Sequence, residues 1–196
     1  MSHQFLHHTA GPLLFENLSD LVQLWRIKSR LAQGRPISVK EDVRRTSLDT
    51  IFAVTFASNL GATSAQSQML STLTAIEVPD GRNLEAIIPA APTPEAYDSI
   101  VKVADSSGIP LRSPFPLLHH WLAVRLRSDL RNAIAQKDKI IRTQLLKAWD
   151  KFNATPAGGL SGECAVDLML QREVQMARKE GRPVEYVQSQ TCLCQY

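Results

Sequence analysis

The cysteine and histidine side chains are the residues of this sequence that could bind a metal ion. Cys192 and Cys194 lie two residues apart near the C-terminus, and His3, His7 and His8 lie near the N-terminus. A structural zinc site needs four such ligands in a tetrahedral array, and only the two cysteines form a close pair. We therefore rank a metal-binding helical protein last among three interpretations of the sequence.

No other group of residues has the spacing of a known catalytic site. The sequence contains no Gly-x-Ser-x-Gly motif, phosphate-binding loop or dinucleotide fingerprint. His119 and His120 are adjacent, and adjacent residues on a helix point to different sides, so we expect a surface pair. The tryptophans Trp25, Trp121 and Trp149 lie beside aliphatic residues in helical patterns and are predicted to pack in the core. The residues alone therefore assign no catalytic, cofactor-binding or metal-binding position.

The composition is typical of a globular protein and excludes several classes of function. Of 196 residues, 44% are hydrophobic and 21% are charged. The net charge of +3 is too small to indicate a nucleic-acid partner. Three cysteines do not form a disulfide framework. Because neither a signal peptide nor an apolar run of about 20 residues is present, we expect a cytoplasmic chain without a transmembrane segment.

The hydrophobic periodicity predicts helices in the first half of the chain. One helix is predicted from Pro12 to Ala32. Its apolar side comprises Leu14, Leu18, Leu21, Val22 and Trp25. Ser38 and Glu41 form a capping box, which predicts a second helix that runs to about Ser58. That helix is expected to direct Leu48, Ile51, Phe52 and Phe56 toward a core. A weaker helical pattern follows from Gln66 to Val78.

The second half of the chain is also predicted to be helical. A short helix around Tyr97 is followed by a proline-rich loop and a long helical region from Leu117 to about Phe152, with a break near Ser128. The last helix ends at Gly181. Its apolar face comprises Val166, Leu170, Val174 and Ala177. Because strand signals are nearly absent, the fold class is mainly α.

The order of several segments resembles the middle of a known family. The segments are Leu21 to Trp25, Gly34 to Ile37, Arg45 to Ile51, Pro116 to Trp121, Lys137 to Arg142, Ala165 to Glu173 and Glu180 to Tyr186. In order and spacing they are similar to the helical mid-region of the cytochromes P450, haem-thiolate monooxygenases, with the fungal microsomal branch the most similar. The resemblance implies one partial P450-like domain over residues 1–186 and an unrelated tail over residues 187–196.

The resemblance implies an activity whose machinery is absent from this chain. The family oxidises small lipophilic substrates with haem iron and O2, receives electrons from an NADPH-linked reductase, and resides at the endoplasmic reticulum membrane. It binds the iron through a cysteine in a Phe-x-x-Gly-x-x-x-Cys-x-Gly loop, and Cys164, Cys192 and Cys194 all lack that context. We therefore expect an internal fragment of a P450 that is inactive and does not bind haem.

The resemblance also assigns a possible role to the proline-rich loop. In the family, the segment between the sixth and seventh principal helices forms the lid of the substrate channel, and the matching stretch here runs from about Ser106 to Trp121. Its apolar residues would contact a lipophilic substrate. They are Ile109, Leu111, Phe115, Leu117 and Leu118. The alternative is an ordinary connection whose apolar residues are tucked into the core.

Two further expectations follow from the sequence. The second interpretation of function is a non-catalytic helical interaction module that binds a partner or its own copies. In the family, the helix that matches the last one here packs on a long central helix. We therefore expect Val166, Leu170 and Val174 to be exposed in this chain, which would favour a molten or self-associating state.

Overall fold

A computed structural model describes residues 3–77, 83–108, 113–154 and 162–182, and within them the fold is helical without strands. The mainly α fold class is therefore confirmed. The chain divides into two compact units, Met1–Pro94 and Glu95–Tyr196. The predicted boundary at residue 186 and the predicted tail over residues 187–196 lie outside the described residues.

The first unit contains three helices of ten residues or more among its described residues. They are α1 (Gly11–Ala32), α2 (Lys40–Phe56) and α3 (Ala62–Ser71), and a helical segment at residues 3–10 precedes them. Each of the three packs on the other two. A stretch over residues 83–94 without regular secondary structure completes the described part of this unit.

Helix α1 has nearly the predicted bounds but a different buried side. It ends at Ala32 and is followed by Gln33, which takes a left-handed conformation at φ 51°. Leu24 and Leu31 are buried and form an apolar cluster with Leu70 of α3. Leu21 is also buried, whereas Leu14, Leu18 and Val22, which share its predicted apolar side, are exposed. The predicted apolar side is therefore only partly buried, because the buried side of α1 includes Leu24 and Leu31.

Helix α2 differs from its prediction at both its start and its core face. The capping box does not form: the helix begins at Lys40, Val39 occupies the N-cap position, and no side chain caps it. Phe52 is buried as predicted, but Ile51 is exposed. Ile51 lies about 100° around the helix from Phe52, so it falls outside the face that packs on the neighbouring helices.

The second unit contains four helices among its described residues. They are α4 (Glu95–Ser106), α5 (Pro116–Leu126), α6 (Ser128–Ala154) and α7 (Ala165–Glu180). Helix α6 packs on each of the other three. The predicted break near Ser128 is confirmed, because Arg127 is extended between α5 and α6. Arg127 and Lys102 both donate hydrogen bonds to the Asp129 carboxylate, and these bonds lower the pKa of Asp129 to about 2.

The apolar face of α7 is buried, which corrects an expectation drawn from the sequence. Val166, Leu170, Val174 and Ala177 are all buried, so the periodicity of this helix is confirmed. Leu170 and Val174 pack on Phe152 of α6. The expectation that Val166, Leu170 and Val174 are exposed is wrong, because α6 covers this face. At the end of α7, Gly181 is left-handed at φ 65°, where a residue without a side chain is favoured.

Replacement of Leu170 by alanine tests this packing. We expect Leu170→Ala to lower the free energy of unfolding by about 2–5 kcal/mol, because it leaves a cavity against Phe152. The neighbouring change Met169→Ala is the control, since Met169 is exposed on the same helix, and we expect it to cost less than about 0.5 kcal/mol. Urea unfolding followed by far-ultraviolet circular dichroism measures both. Equal effects of the two changes would contradict the packing of α7 on α6.

Candidate functional site

Helix α5 has no buried residue, and its large apolar side chains form an exposed surface. Phe115 is 68% exposed, Leu117 is 88% exposed and Leu118 is 54% exposed. Trp121, predicted to lie in the core, is also exposed, which corrects that prediction. The guanidinium of Arg125 lies 5.6 Å from the centre of the Trp121 ring. We refer to Phe115, Leu117, Leu118 and Trp121 as the α5 surface.

The start of α5 is held by local hydrogen bonds that fix the α5 surface. Pro116 occupies the first turn, where its missing N–H costs nothing. The N–H of Phe115 donates to Ser113 Oγ at 3.0 Å, and the N–H of His119 donates to the carbonyl of Phe115 at 3.0 Å. His119 and His120 are both exposed, as predicted. The remaining predicted lid residues, Ile109 and Leu111, lie outside the described residues.

Cys164 is the cysteine whose surroundings the structure describes, and they do not suit an iron ligand. It is buried at the start of α7. Burial raises the pKa of the Cys164 thiol to about 11, and the Asp167 carboxylate adds to this effect. Haem-thiolate binding needs a deprotonated sulfur, which an electropositive setting favours. The described residues therefore do not fit a haem-thiolate centre; Cys192 and Cys194 lie outside them.

Metal-binding residues are similarly dispersed in the part of the chain that the structure describes. No group of three or more histidine, cysteine, aspartate or glutamate side chains is close enough to hold a metal ion there. The rings of His3 and His7 lie 4.5 Å apart in a tilted arrangement. The combination of these histidines with Cys192 and Cys194 stays untested.

The first unit is built around a buried polar stripe on α2. Asp42, Arg45, Thr46 and Asp49 are all buried, and their spacing of three, one and three residues puts them on one face of the helix. The Lys28 ammonium donates to both oxygens of Asp42 at 2.7 Å, and Trp25 Nε1 donates to the same carboxylate at 3.2 Å. The stripe therefore ties α2 to α1 through a buried ion pair.

The same stripe caps the neighbouring helix. The residue before α3 is Gly61, which has no side chain to bind the first N–H groups of the helix. Asp49 takes this role from α2: its two oxygens accept hydrogen bonds from the N–H groups of Ala62 and Thr63, at 3.1 and 2.8 Å. Its negative charge also complements the positive end of the α3 dipole. Thr46 Oγ1 adds a contact of 3.2 Å to Thr63 Oγ1.

Arg45 and Gln66 extend the stripe to residues 83–94. Arg45 Nη1 donates to Gln66 Oε1 at 2.8 Å. The same Gln66 oxygen accepts the N–H of Ala91 at 2.7 Å, and Gln66 Nε2 donates to the carbonyl of Pro89 at 2.9 Å. This arrangement borders a groove of about 450 Å³ in the first unit. The polar lining residues are Lys28, Ser38, Glu41, Asp42, Arg45, Gln66 and Glu85.

The chain is similar in sequence to fungal proteins named as cytochrome P450 monooxygenases. GME11363 of Pestalotiopsis microspora is 33% identical over 184 residues, which is 93% of this chain and 32% of that protein. XilC of Penicillium rubens is 28% identical over 91% of this chain and 31% of its own length. TRI13 of Fusarium sporotrichioides is 25% identical over 93% of this chain and 32% of its own length. No family model and no solved structure matches the chain.

These similarities extend over nearly the whole chain and agree on one class of protein, the haem-dependent monooxygenases. The chain belongs to the cytochrome P450 family. The chain spans about a third of the length of the curated relatives it matches. The family predicted from the order of the segments is therefore confirmed. The prediction that the chain corresponds to only a part of a P450 agrees with its coverage of these relatives. No helix among the described residues is long and apolar enough to cross a membrane.

Proposed function

We propose that this chain forms the substrate-access part of a P450 monooxygenase and does not carry out the oxidation by itself. The α5 surface carries this proposal, because all four of its large side chains are more than half exposed and α5 has no buried residue. Exposed apolar patches in soluble proteins mark contacts with partners or ligands. In a longer P450 polypeptide, a lipophilic substrate entering its channel would supply that contact.

The proposed lid comprises Ile109, Leu111, Phe115, Leu117 and Leu118. The exposure of Phe115, Leu117 and Leu118 supports a lid over the alternative of a connection tucked into the core. The hydrogen bonds at Ser113 and His119 hold the start of the helix. The lid would thus present a preformed apolar face, which lowers the ordering cost of binding a substrate.

The proposed activity of the longer polypeptide is the haem- and O2-dependent oxidation of a small lipophilic substrate. Its electrons would come from an NADPH-linked reductase, and it would reside at the endoplasmic reticulum membrane, whereas this chain alone would be cytoplasmic. The names of the relatives support the reaction class. The raised pKa of the buried Cys164 thiol supports the proposal that this chain does not bind haem on its own.

A non-catalytic interaction module is the second candidate, and one feature of the first unit favours it. Leu14 and Leu18 of α1 and Val43 and Ile51 of α2 are exposed and line an apolar groove of about 310 Å³. Continuing the reading frame in genomic DNA separates the two candidates. A downstream Gly-x-Asp-Thr segment and a cysteine loop favour the monooxygenase, and their absence favours the interaction module.

Reconstitution with haemin tests whether this chain binds haem through a thiolate. We expect the reduced carbon monoxide complex of the 196-residue chain to lack the red-shifted Soret band of the family, because Cys164 is buried and its pKa is raised. The full-length relative from Pestalotiopsis microspora, treated in parallel, is the positive control. A red-shifted band from this chain at a stoichiometry near one would show the proposal to be wrong.

A chimeric enzyme tests the lid. The chain would be joined to the segments of the Pestalotiopsis relative that it does not span, and Phe115 and Leu118 would both be replaced by alanine. We expect at least tenfold weaker substrate affinity at a melting temperature within about 2 °C, because both side chains are exposed.

A buried residue of the same unit provides the matched control for the chimera. Leu130 of α6 is buried, so Leu130→Ala should lower the melting temperature by several degrees. The affinity of the remaining folded enzyme should stay unchanged. If the double change at Phe115 and Leu118 behaves like Leu130→Ala, these residues belong to the core and the lid assignment fails.

A further inference from the structure

Arg45 is a buried cation without an acidic partner among the described residues. Its side chain is 4% exposed, and a guanidinium keeps its charge in proteins. The hydrogen bond from Nη1 goes to the neutral amide of Gln66. The Nε atom is buried and has no hydrogen-bond partner. A buried charge that lacks a counter-charge is costly, so the position calls for an anionic group.

The groove of about 450 Å³ gives such a group a place beside Arg45. Lys28 also lines the groove, but its charge is matched by Asp42 at 2.7 Å. Arg45, by contrast, has no carboxylate within ion-pairing distance among the described residues, although Asp42 and Asp49 share its face of α2. The apolar part of the lining includes Ile87, Ile88 and Pro89.

We propose that this groove binds a small organic monocarboxylic acid, with its carboxylate on Arg45 and its apolar part against Ile87, Ile88 and Pro89. A planar carboxylate matches the donor geometry of a guanidinium. The exposed acids Glu41 and Glu85 also line the groove. Their charges repel every anion, but they repel a multiply charged anion such as phosphate more strongly than a monocarboxylate. This binding is independent of the oxygen chemistry and of the lid.

Titration of the 196-residue chain with benzoate tests the proposal. The readout is the 15N–1H resonance of Arg45 Nε in an isotopically labelled sample. We expect a saturable shift with benzoate and at least tenfold weaker effects with benzamide and inorganic phosphate. Benzamide has the same ring without the charge, and phosphate carries more charge without the ring.

Two substitutions on α2 locate the site. Arg45→Gln removes the charge and should weaken benzoate binding at least tenfold. Arg44→Gln is the matched control, because Arg44 is the adjacent arginine, is partly exposed and lies 4.0 Å from Glu41. It should bind benzoate as the unchanged chain does. If Arg45→Gln does not fold, the comparison of benzoate with benzamide in the unchanged chain still decides.

Three results would overturn the proposal. The first is the absence of a saturable shift with benzoate, and the second is an equal shift with benzoate and benzamide. The third is an equal loss of benzoate affinity in Arg45→Gln and Arg44→Gln. A fourth concerns the source of the carboxylate. If the chimera with the remaining P450 segments no longer binds benzoate, a side chain of those segments is the partner of Arg45, and a free acid is not.

Discussion

The first unit depends on a helix that buries charge rather than apolar side chains. Each polar residue on the buried face of α2 has a partner on a different element: Asp42 on α1, and Asp49 and Arg45 on α3. Hydrogen bonds are directional, and a buried polar group that loses its partner costs about 1–3 kcal/mol or more. The relative positions of the three helices are therefore set by bonding geometry, with the Leu24, Leu31 and Leu70 cluster adding apolar contact.

The second unit uses a different principle. Its helices α6 and α7 meet through apolar side chains, with Phe152, Leu170 and Val174 at the centre and Trp149 stacked on Phe152 at 5.9 Å. Helix α5 packs on α6 but has no buried residue of its own. A unit in which one helix keeps its apolar side chains exposed has a surface available for binding. This contrast supports the lid proposed on α5 from the family resemblance.

The sequence predicted the apolar face of α7 correctly, but it did not predict the buried polar face of α2. The spacing of Val166, Leu170 and Val174 predicted one apolar face, although that face was expected to be exposed and is buried. The break near Ser128 was also predicted. Apolar periodicity treats polar positions as exposed, so it could not reveal that α2 turns Asp42 and Asp49 inward. The helical spacing of Asp42, Arg45 and Asp49 is visible, but their partners lie 13 to 21 residues away in the sequence.

The candidate sites show the same limit. The apolar composition of the lid was visible in the sequence, but the exposure of Phe115 and Leu118 depends on which helices pack together. The groove was missed entirely, because Arg45, Gln66 and Pro89 meet only in the folded chain. The capping box at Ser38 failed for a related reason: α2 begins after Val39, and the Ser38 carbonyl lies 3.4 Å from the Lys28 ammonium. Family membership was predicted because it depends on segment order rather than on contacts.

Amide hydrogen exchange in the 196-residue chain tests the polar stripe most directly. The N–H groups of Ala62 and Thr63 donate hydrogen bonds to the Asp49 carboxylate, and the N–H group of Ala91 donates to Gln66 Oε1. These three amides should exchange slowly, together with the central amides of α2. Ser64 is exposed in the same turn of α3 and should exchange much faster. Exchange of Ala62, Thr63 and Ala91 at the rate of Ser64 would contradict a first unit organised by the buried stripe of α2.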